Sequence, residues 1–235
     1  MLGVVASRPL RVDALLCDAE SSLATLSKEH ADGWGIARRA RETWIVERGT
    51  ERAAGSASFE RAARTGETHL LVAHVRKKTV GPTSLSNTHP FVRGSYVLAH
   101  NGTITDVARL ARSTSKERAD EVAGDTDSER LFAFVLTQID EVGVLDGLAR
   151  ATAVLRAAPS IGTASFLFSD GVDLHAFAWG RELHLLSRGE VAAPRERRLP
   201  AITVASQPLT REPWQRIVEG ELVHVGGPAS FVRAA

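Results

Sequence analysis

Four short runs constrain this chain most, because they are apolar almost throughout and do not alternate apolar with polar residues. They are His69-Leu70-Leu71-Val72-Ala73-His74-Val75, Tyr96-Val97-Leu98-Ala99, Ser165-Phe166-Leu167-Phe168 and Ile202-Thr203-Val204-Ala205. Runs of this length, rich in Val and Phe and bounded by Gly, Pro, Asn or Asp, predict strands buried on both faces. Such strands need a packed layer on each side. Two further apolar runs, Leu174 to Trp179 and Leu183 to Leu186, are separated by Gly180-Arg181-Glu182, a spacing that predicts a hairpin. Gly35 to Ala37 and Thr43 to Val46 predict another.

Helical periodicity is concentrated in the middle of the chain. Leu131, Phe132, Val135, Leu136 and Ile139 share one helix face, and Thr126 with Glu129 three residues later has capping-box spacing. A second helix is expected through Leu145, Leu148, Thr152 and Leu155, ending before Pro159, and a weaker one over Phe59 to Arg64. Doubly buried strands with amphipathic helices predict two facing sheets with helices on an outer face. With no repeat, low-complexity tract or long linker, residues 1–235 are expected to form a single domain.

Charge and composition exclude several function classes. The formal net charge is +1, so no global field favours nucleic acid or an anionic membrane. The one basic cluster, Arg195-Glu196-Arg197-Arg198 between Pro194 and Pro200, reads as a solvated loop. The start Met1-Leu2-Gly3-Val4-Val5-Ala6-Ser7-Arg8 has no basic segment before its apolar run, unlike a secretory signal. No apolar stretch approaches the roughly 18 residues that span a bilayer. A cytoplasmic location is expected. Cys17 is the only cysteine, so no disulfide closes within the chain. There is no phosphate loop, no dinucleotide-binding glycine pattern, no His-Glu-x-x-His and no Gly-x-Ser-x-Gly, and the eight histidines have no metal-ligand spacing. Neither cofactor nor metal is expected.

The residues that could carry chemistry each admit a plainer reading. Asn101-Gly102 follows an apolar strand; its side-chain amide and backbone N–H could converge on one oxygen as an oxyanion hole, or form a strand-end turn. Arg76 ends the strand His69 to Val75; with Thr79 nearby it could clamp a carboxylate, or be a solvated strand-end charge. Gly124-Asp125-Thr126-Asp127-Ser128-Glu129 crowds acids at a helix start, where they favour the helix dipole. In the functional reading, Asp127 faces a pocket and takes a substrate ammonium. Asp32-Gly33-Trp34-Gly35 is either a tight turn carrying a core Trp or a pocket-lining loop.

In their order along the chain these motifs resemble the class II glutamine amidotransferases, N-terminal-nucleophile hydrolases. The likeness is closest to small stand-alone bacterial members, including those similar to the amidohydrolase of ergothioneine biosynthesis. It runs through Leu2-Gly3-Val4-Val5, Glu29 to Gly35, Ala73-His74-Val75-Arg76, Asn87-Thr88-His89-Pro90-Phe91 and Ala99-His100-Asn101-Gly102. It continues through Thr126-Asp127-Ser128-Glu129, Ser169-Asp170-Gly171 and Ala205-Ser206-Gln207-Pro208-Leu209. The resemblance implies an α+β fold, a four-layer αββα sandwich with two mostly antiparallel sheets. It also implies an amidohydrolase acting on glutamine or a γ-glutamyl amide. Arg76 would bind the substrate α-carboxylate, Asp127 its α-ammonium, Asn101 and Gly102 the oxyanion, with Thr79 beside the substrate. The larger synthases carry Trp-Ala after this Arg and His after the Thr, where this chain has Lys77-Lys78 and Val80. With no synthetase segment in these residues, released ammonia passes to a partner protein or the enzyme is a simple hydrolase. A homodimer is the base-rate expectation.

Members of the family begin Met-Cys, lose the Met, and attack with the exposed cysteine, whose own α-amine is the base. Aligning Leu2-Gly3 with the common family start places that nucleophile two positions before Met1. Cys17, deep in Ala14-Leu15-Leu16-Cys17-Asp18 and without a free α-amine, reads as a structural thiol. The expectation is therefore a start assigned two or three residues late. The alternative is a pseudoenzyme that binds glutamine or a γ-glutamyl ligand without cleaving it.

Overall fold

A computed structural model describes residues 1–188, 201–226 and 230–234. In chain order the first half runs β1 (Leu2–Leu10), a π-helical turn (Ala14–Asp18), α1 (Leu23–Leu26), β2 (Trp34–Ala40), β3 (Thr43–Gly49), α2 (Ala57–Arg64), β4 (Thr68–Val75), β5 (Phe91–Arg93) and β6 (Tyr96–Ile104). Four helices come next: α3 (Val107–Arg112), α4 (Lys116–Asp120), α5 (Asp127–Val142) and α6 (Val144–Arg156). The remaining strands are β7 (Gly162–Ser169), β8 (Leu174–Phe177), β9 (His184–Arg188), β10 (Ala201–Ala205), β11 (Gln215–Arg216), β12 (Leu222–Gly226) and β13 (Ser230–Ala234).

These strands form two antiparallel sheets. One has seven strands in the order β11-β9-β10-β1-β4-β2-β3, the other six in the order β13-β12-β8-β7-β6-β5. Three hydrophobic layers hold them together. Between the sheets lie Met1, Val5, Leu70 and Val72 from one side and Val97, Ala99, Leu167 and Ala176 from the other. Outside the seven-stranded sheet, Leu2, Val4, Ile36, Leu71 and Ala73 pack on the π-helical turn, α1 and α2. Outside the six-stranded sheet, Leu98, Ala164, Phe166 and Phe168 pack on α5 and α6 through Leu131, Phe132, Val135, Leu148 and Leu155. The result is the four-layer αββα sandwich.

The apolar runs are a direct consequence of this architecture. Successive residues of a strand point to opposite faces, so Leu70 and Val72 enter the middle layer while Leu71 and Ala73 enter the outer one. Each fully buried Leu or Phe contributes roughly 1.5–3 kcal/mol, which is why neither face of these strands is polar.

The helical expectations hold for α5 and α2. Thr126 Oγ1 caps α5 by accepting from Glu129 N at 3.3 Å. In α6, Leu145 is 58% exposed instead of packed, because Val144, Leu148, Ala151 and Leu155 form the inward stripe and Leu145 falls beside it. The β2–β3 hairpin forms, turning at Arg41-Glu42 with Arg41 at φ 54°. The second expected hairpin does not. β8 belongs to the six-stranded sheet and β9 to the seven-stranded one, so the chain crosses between sheets at Gly180-Arg181-Glu182. Both runs are apolar because Ala176, Ala178, Leu183 and Leu185 enter the same middle layer from its two sides. The basic cluster Arg195 to Arg198 lies outside the described residues. Among the described residues no helix is long and apolar enough to cross a membrane.

Candidate active site

The two sheets part at the end where β1 begins and β4, β6 and β10 finish, leaving a cleft of about 410 Å³. The seven-stranded sheet contributes Met1, His74 and Val75, with Ser206 and Gln207 just beyond β10; the six-stranded sheet contributes His100, Asn101, Gly102 and Thr103. Leu26, His30, Lys77, Thr79 and Arg181 complete the lining.

The wall carrying Asn101 and Gly102 is tied into its surroundings. Asn101 pairs with Ser165, and Gly102 with Ala164, in the β6–β7 ladder. By strand alternation Asn101 shares the inward face with Val97 and Ala99, and so faces the other sheet. Its neighbour His100 points the opposite way, with Nδ1 2.9 Å from Ser128 Oγ on α5 and Nε2 3.1 Å from the Thr163 carbonyl. A carbonyl can only accept, so Nε2 carries the proton and the neutral ring accepts at Nδ1. Burial lowers the His100 pKa, opposed by nearby Asp127 and by the bond to Thr163. This packing explains the glycine at 102. Its φ is +156°, and a Cβ there would stand 2.2 Å from the Thr163 carbonyl oxygen and 2.7 Å from His100 Nε2. The turn reading of Asn101-Gly102 gives way to a continuous strand.

The opposite wall is built by the end of β4. Strand pairing runs one step past β2, with Arg76 N donating to the Gly33 carbonyl at 2.8 Å and Asp32 N to the Arg76 carbonyl at 3.0 Å. The Asp32 carboxylate then accepts from Lys78 N at 2.9 Å. The Asp32-Gly33 pair thus pins the path of residues 76–78. Trp34 is core, edge-on to Phe59 at 5.3 Å.

Thr79, Asn101 and Gly102 therefore reach the cleft, whereas Arg76 and Asp127 adjoin its lining residues without belonging to them. Arg76 is 4% exposed, and its guanidinium donates to the Val80 carbonyl at 2.9 Å and the Pro82 carbonyl at 3.2 Å. Burial lowers its pKa. Asp127, also buried, accepts from Ile104 N at 2.6 Å through Oδ2.

Asn87, to which the motif pattern assigns no role, links the two. Its Nδ2 donates to the Pro82 carbonyl at 3.0 Å and its Oδ1 accepts from Asp125 N at 2.8 Å, so the Arg76 loop is joined to the turn before α5. Gly81 and Gly124 leave room for this amide, since a Cβ on either would meet it within 2.9 Å.

The motifs that carry the resemblance contain His30, His74, Ser206 and Gln207 without giving them a role, and Arg181 stands outside them. His74 and His89 stack at 4.4 Å behind the cleft. Burial and then mutual repulsion hold His74 well below its ordinary pKa; burial and then repulsion from His100 do the same for His89. Among the described residues His74 Nδ1 and both His89 nitrogens have no hydrogen-bond partner. Burial, with repulsion from the Met1 amine and Lys77, lowers His30. The Met1 α-amine donates to Ser206 Oγ at 3.2 Å, and burial lowers its pKa to about 5. Alternation along β4 puts His74 on the inward face, while no sequence signal marks Arg181. Cys17 lies outside the seven-stranded sheet, against the α1–α2 layer, and burial raises its thiol pKa.

Residues 16–199 match the family description of glutamine amidotransferases class-II. The chain belongs to the class II glutamine amidotransferases. Among relatives, an uncharacterised protein of Methanocaldococcus jannaschii is 29% identical over 95% of this chain and 68% of that one. The gamma-glutamyl-hercynylcysteine sulfoxide hydrolase of Mycobacterium tuberculosis is 29% identical over 83% of this chain and 76% of that one. A glutamine aminotransferase class-II domain protein of Silicibacter pomeroyi has the same fold. Its TM-score is 0.70 at 21% identity, covering 99% of this chain and 97% of that one.

Proposed function

We propose that this chain forms the substrate site of an amidohydrolase that cleaves the γ-amide of glutamine or of a γ-glutamyl compound. Asn101 and Gly102, held on a bonded strand end that faces a polar cleft, carry this reading. Arg76 takes the substrate α-carboxylate, exchanging two neutral carbonyl acceptors for a charged one, which makes stronger hydrogen bonds. Asp127 takes the α-ammonium, and Thr79 lies beside the substrate.

The nucleophile in this reading is a cysteine two positions before Met1. Continuing the β1–β4 register, in which Leu2 pairs with Ala73, sets that position opposite Arg76. Alternation sets it on the same inward face as Met1. Its thiolate attacks the amide carbonyl, whose electron pair moves to an oxygen held by the Asn101 amide and the Gly102 N–H. The carbon–nitrogen bond breaks and the departing amine takes a proton from the cysteine α-ammonium. Water, deprotonated by the same amine, then hydrolyses the glutamyl thioester to release glutamate and the free thiol. The α-amine becomes that ammonium by taking the thiol proton before the attack, and burial at this end of the cleft, which lowers the Met1 amine to about 5, favours the uncharged form that can act as base.

A chain made only of residues 1–235 carries Cys17 as its single thiol, on the wrong side of a sheet. That observation favours a second reading for such a chain, a binder that does not cleave. Released ammonia or amine leaves free or passes to a partner protein, and a homodimer and cytoplasmic location complete the proposal. The test is to produce the chain with Met-Cys-Arg ahead of Met1 and assay hydrolysis of glutamine and γ-glutamyl amides, with mass spectrometry for the thioester. Turnover that requires the added cysteine is the expected result. No turnover and no thioester would sink the enzyme reading, and failure of residues 1–235 to bind glutamine would sink the binder as well.

A further inference from the structure

The cleft has a charge asymmetry that glutamine alone does not use. Its ionisable lining groups are the Met1 α-amine, His30, His74, His100, Lys77 and Arg181, with no Asp or Glu among the described residues that line it. Burial lowers the Met1 amine and all three histidines, which leaves Lys77 and Arg181 as the side-chain cations of the lining. Among the described residues neither side chain is paired with a carboxylate.

Both cations are fastened at the backbone, from opposite walls. Lys77 directly succeeds Arg76, and the next residue is held by Asp32 through Lys78 N at 2.9 Å. Arg181 stands on the crossover between the sheets. The Ser165 hydroxyl, fully buried, accepts from Trp179 N at 2.8 Å and Arg181 N at 3.2 Å and donates to the Arg181 carbonyl at 2.6 Å. Ser165 is the ladder partner of Asn101, so the residue that fixes Arg181 also adjoins the oxyanion wall. Gly180 makes the turn possible at φ +77°, where a Cβ would stand 2.3 Å from Thr163 Cγ2.

We propose that Lys77 and Arg181 select a substrate whose departing amine carries a carboxylate, that is, a γ-glutamyl-amino acid or γ-glutamyl peptide, in preference to glutamine. This rests on the γ-glutamyl reading above: Arg76 and Asp127 take the glutamyl end, and the two unpaired cations face the part beyond the scissile amide. Arg181 supplies a planar fork that matches a carboxylate, and Lys77 a compact second charge.

Calorimetry on the 235-residue chain tests it without turnover, comparing γ-glutamylglycine with γ-glutamylethylamide, which keeps the amide but lacks the carboxylate. The expected result is that γ-glutamylglycine binds about tenfold tighter or more, a factor equivalent to ~1.4 kcal/mol. In Lys77→Met/Arg181→Gln the ratio of the two affinities should fall to about one, while Arg181→Lys, which keeps the charge, should retain most of the preference. Equal affinities in the parent chain, or a preference that survives the double substitution, would overturn the selection and leave the γ-glutamyl reading standing. Binding of neither compound would remove both.

Discussion

The two walls of the cleft are built to different standards of rigidity. On the β6 side, Asn101 and Gly102 continue a ladder, His100 uses both ring nitrogens, and Asp127 ties α5 to Ile104 N. On the β4 side, the strand stops at Val75 and gives way to a loop wrapped around the Arg76 guanidinium. The histidines behind that wall, His74 and His89, have unpartnered nitrogens where His100 has none. Groups that must meet a developing charge gain from being fixed before the reaction. Groups that recognise a substrate can exchange protein contacts for ligand contacts. The contrast suggests a division of labour, with fixed geometry on one sheet and adjustable recognition on the other.

The contrast can be broken most severely at Gly102. Gly102→Ala sets a Cβ against the Thr163 carbonyl at a φ that disfavours side chains, and should cost about 3–5 kcal/mol of stability in urea unfolding. A cost below about 1 kcal/mol would mean that the β6 wall yields easily. Asn101→Ala in the cysteine-bearing chain should lower kcat by about 10²–10³-fold, the usual effect of losing one oxyanion donor. A change confined to KM would instead make Asn101 a recognition residue.

The histidines sharpen the comparison further. His100→Leu strands Ser128 Oγ and the Thr163 carbonyl and should cost roughly 1–3 kcal/mol. His89→Leu removes no hydrogen bond among the described residues and should cost less. It should also flatten the acid limb of the stability curve. His89 has a folded pKa below its unfolded value near 6.5, so the unfolded chain binds the proton first and stability falls as pH drops below about 6.5. Identical acid limbs for parent and variant would contradict this. The smallest effect is expected for Lys77→Met, within about 0.5 kcal/mol in unfolding, because the side chain is exposed and unpaired.

Much of the architecture was legible from residue patterns alone. Doubly apolar runs predicted stacked sheets because a strand cannot leave either apolar face in water, and the Thr126 cap marked the start of α5. The expected hairpin at Gly180 failed because an apolar run reveals that a residue is buried, not which of two sheets buries it. Leu145 failed for a smaller reason, since one residue of phase decides whether a side chain faces the core or the solvent. At the site, the order of motifs pointed to Arg76, Thr79, Asn101, Gly102 and Asp127, and three of these line the cleft.

What the sequence determined by itself was therefore local: which segments are strands, where α5 is capped, and which family the motifs resemble. Only the tertiary structure decided that Asn87 joins the Arg76 loop to the turn before α5. It alone brought Lys77 and Arg181, more than a hundred residues apart in sequence, to one cleft whose lining includes no carboxylate among the described residues. Contacts of that kind depend on how the chain crosses from one sheet to the other, and no periodicity within a single segment encodes that crossing.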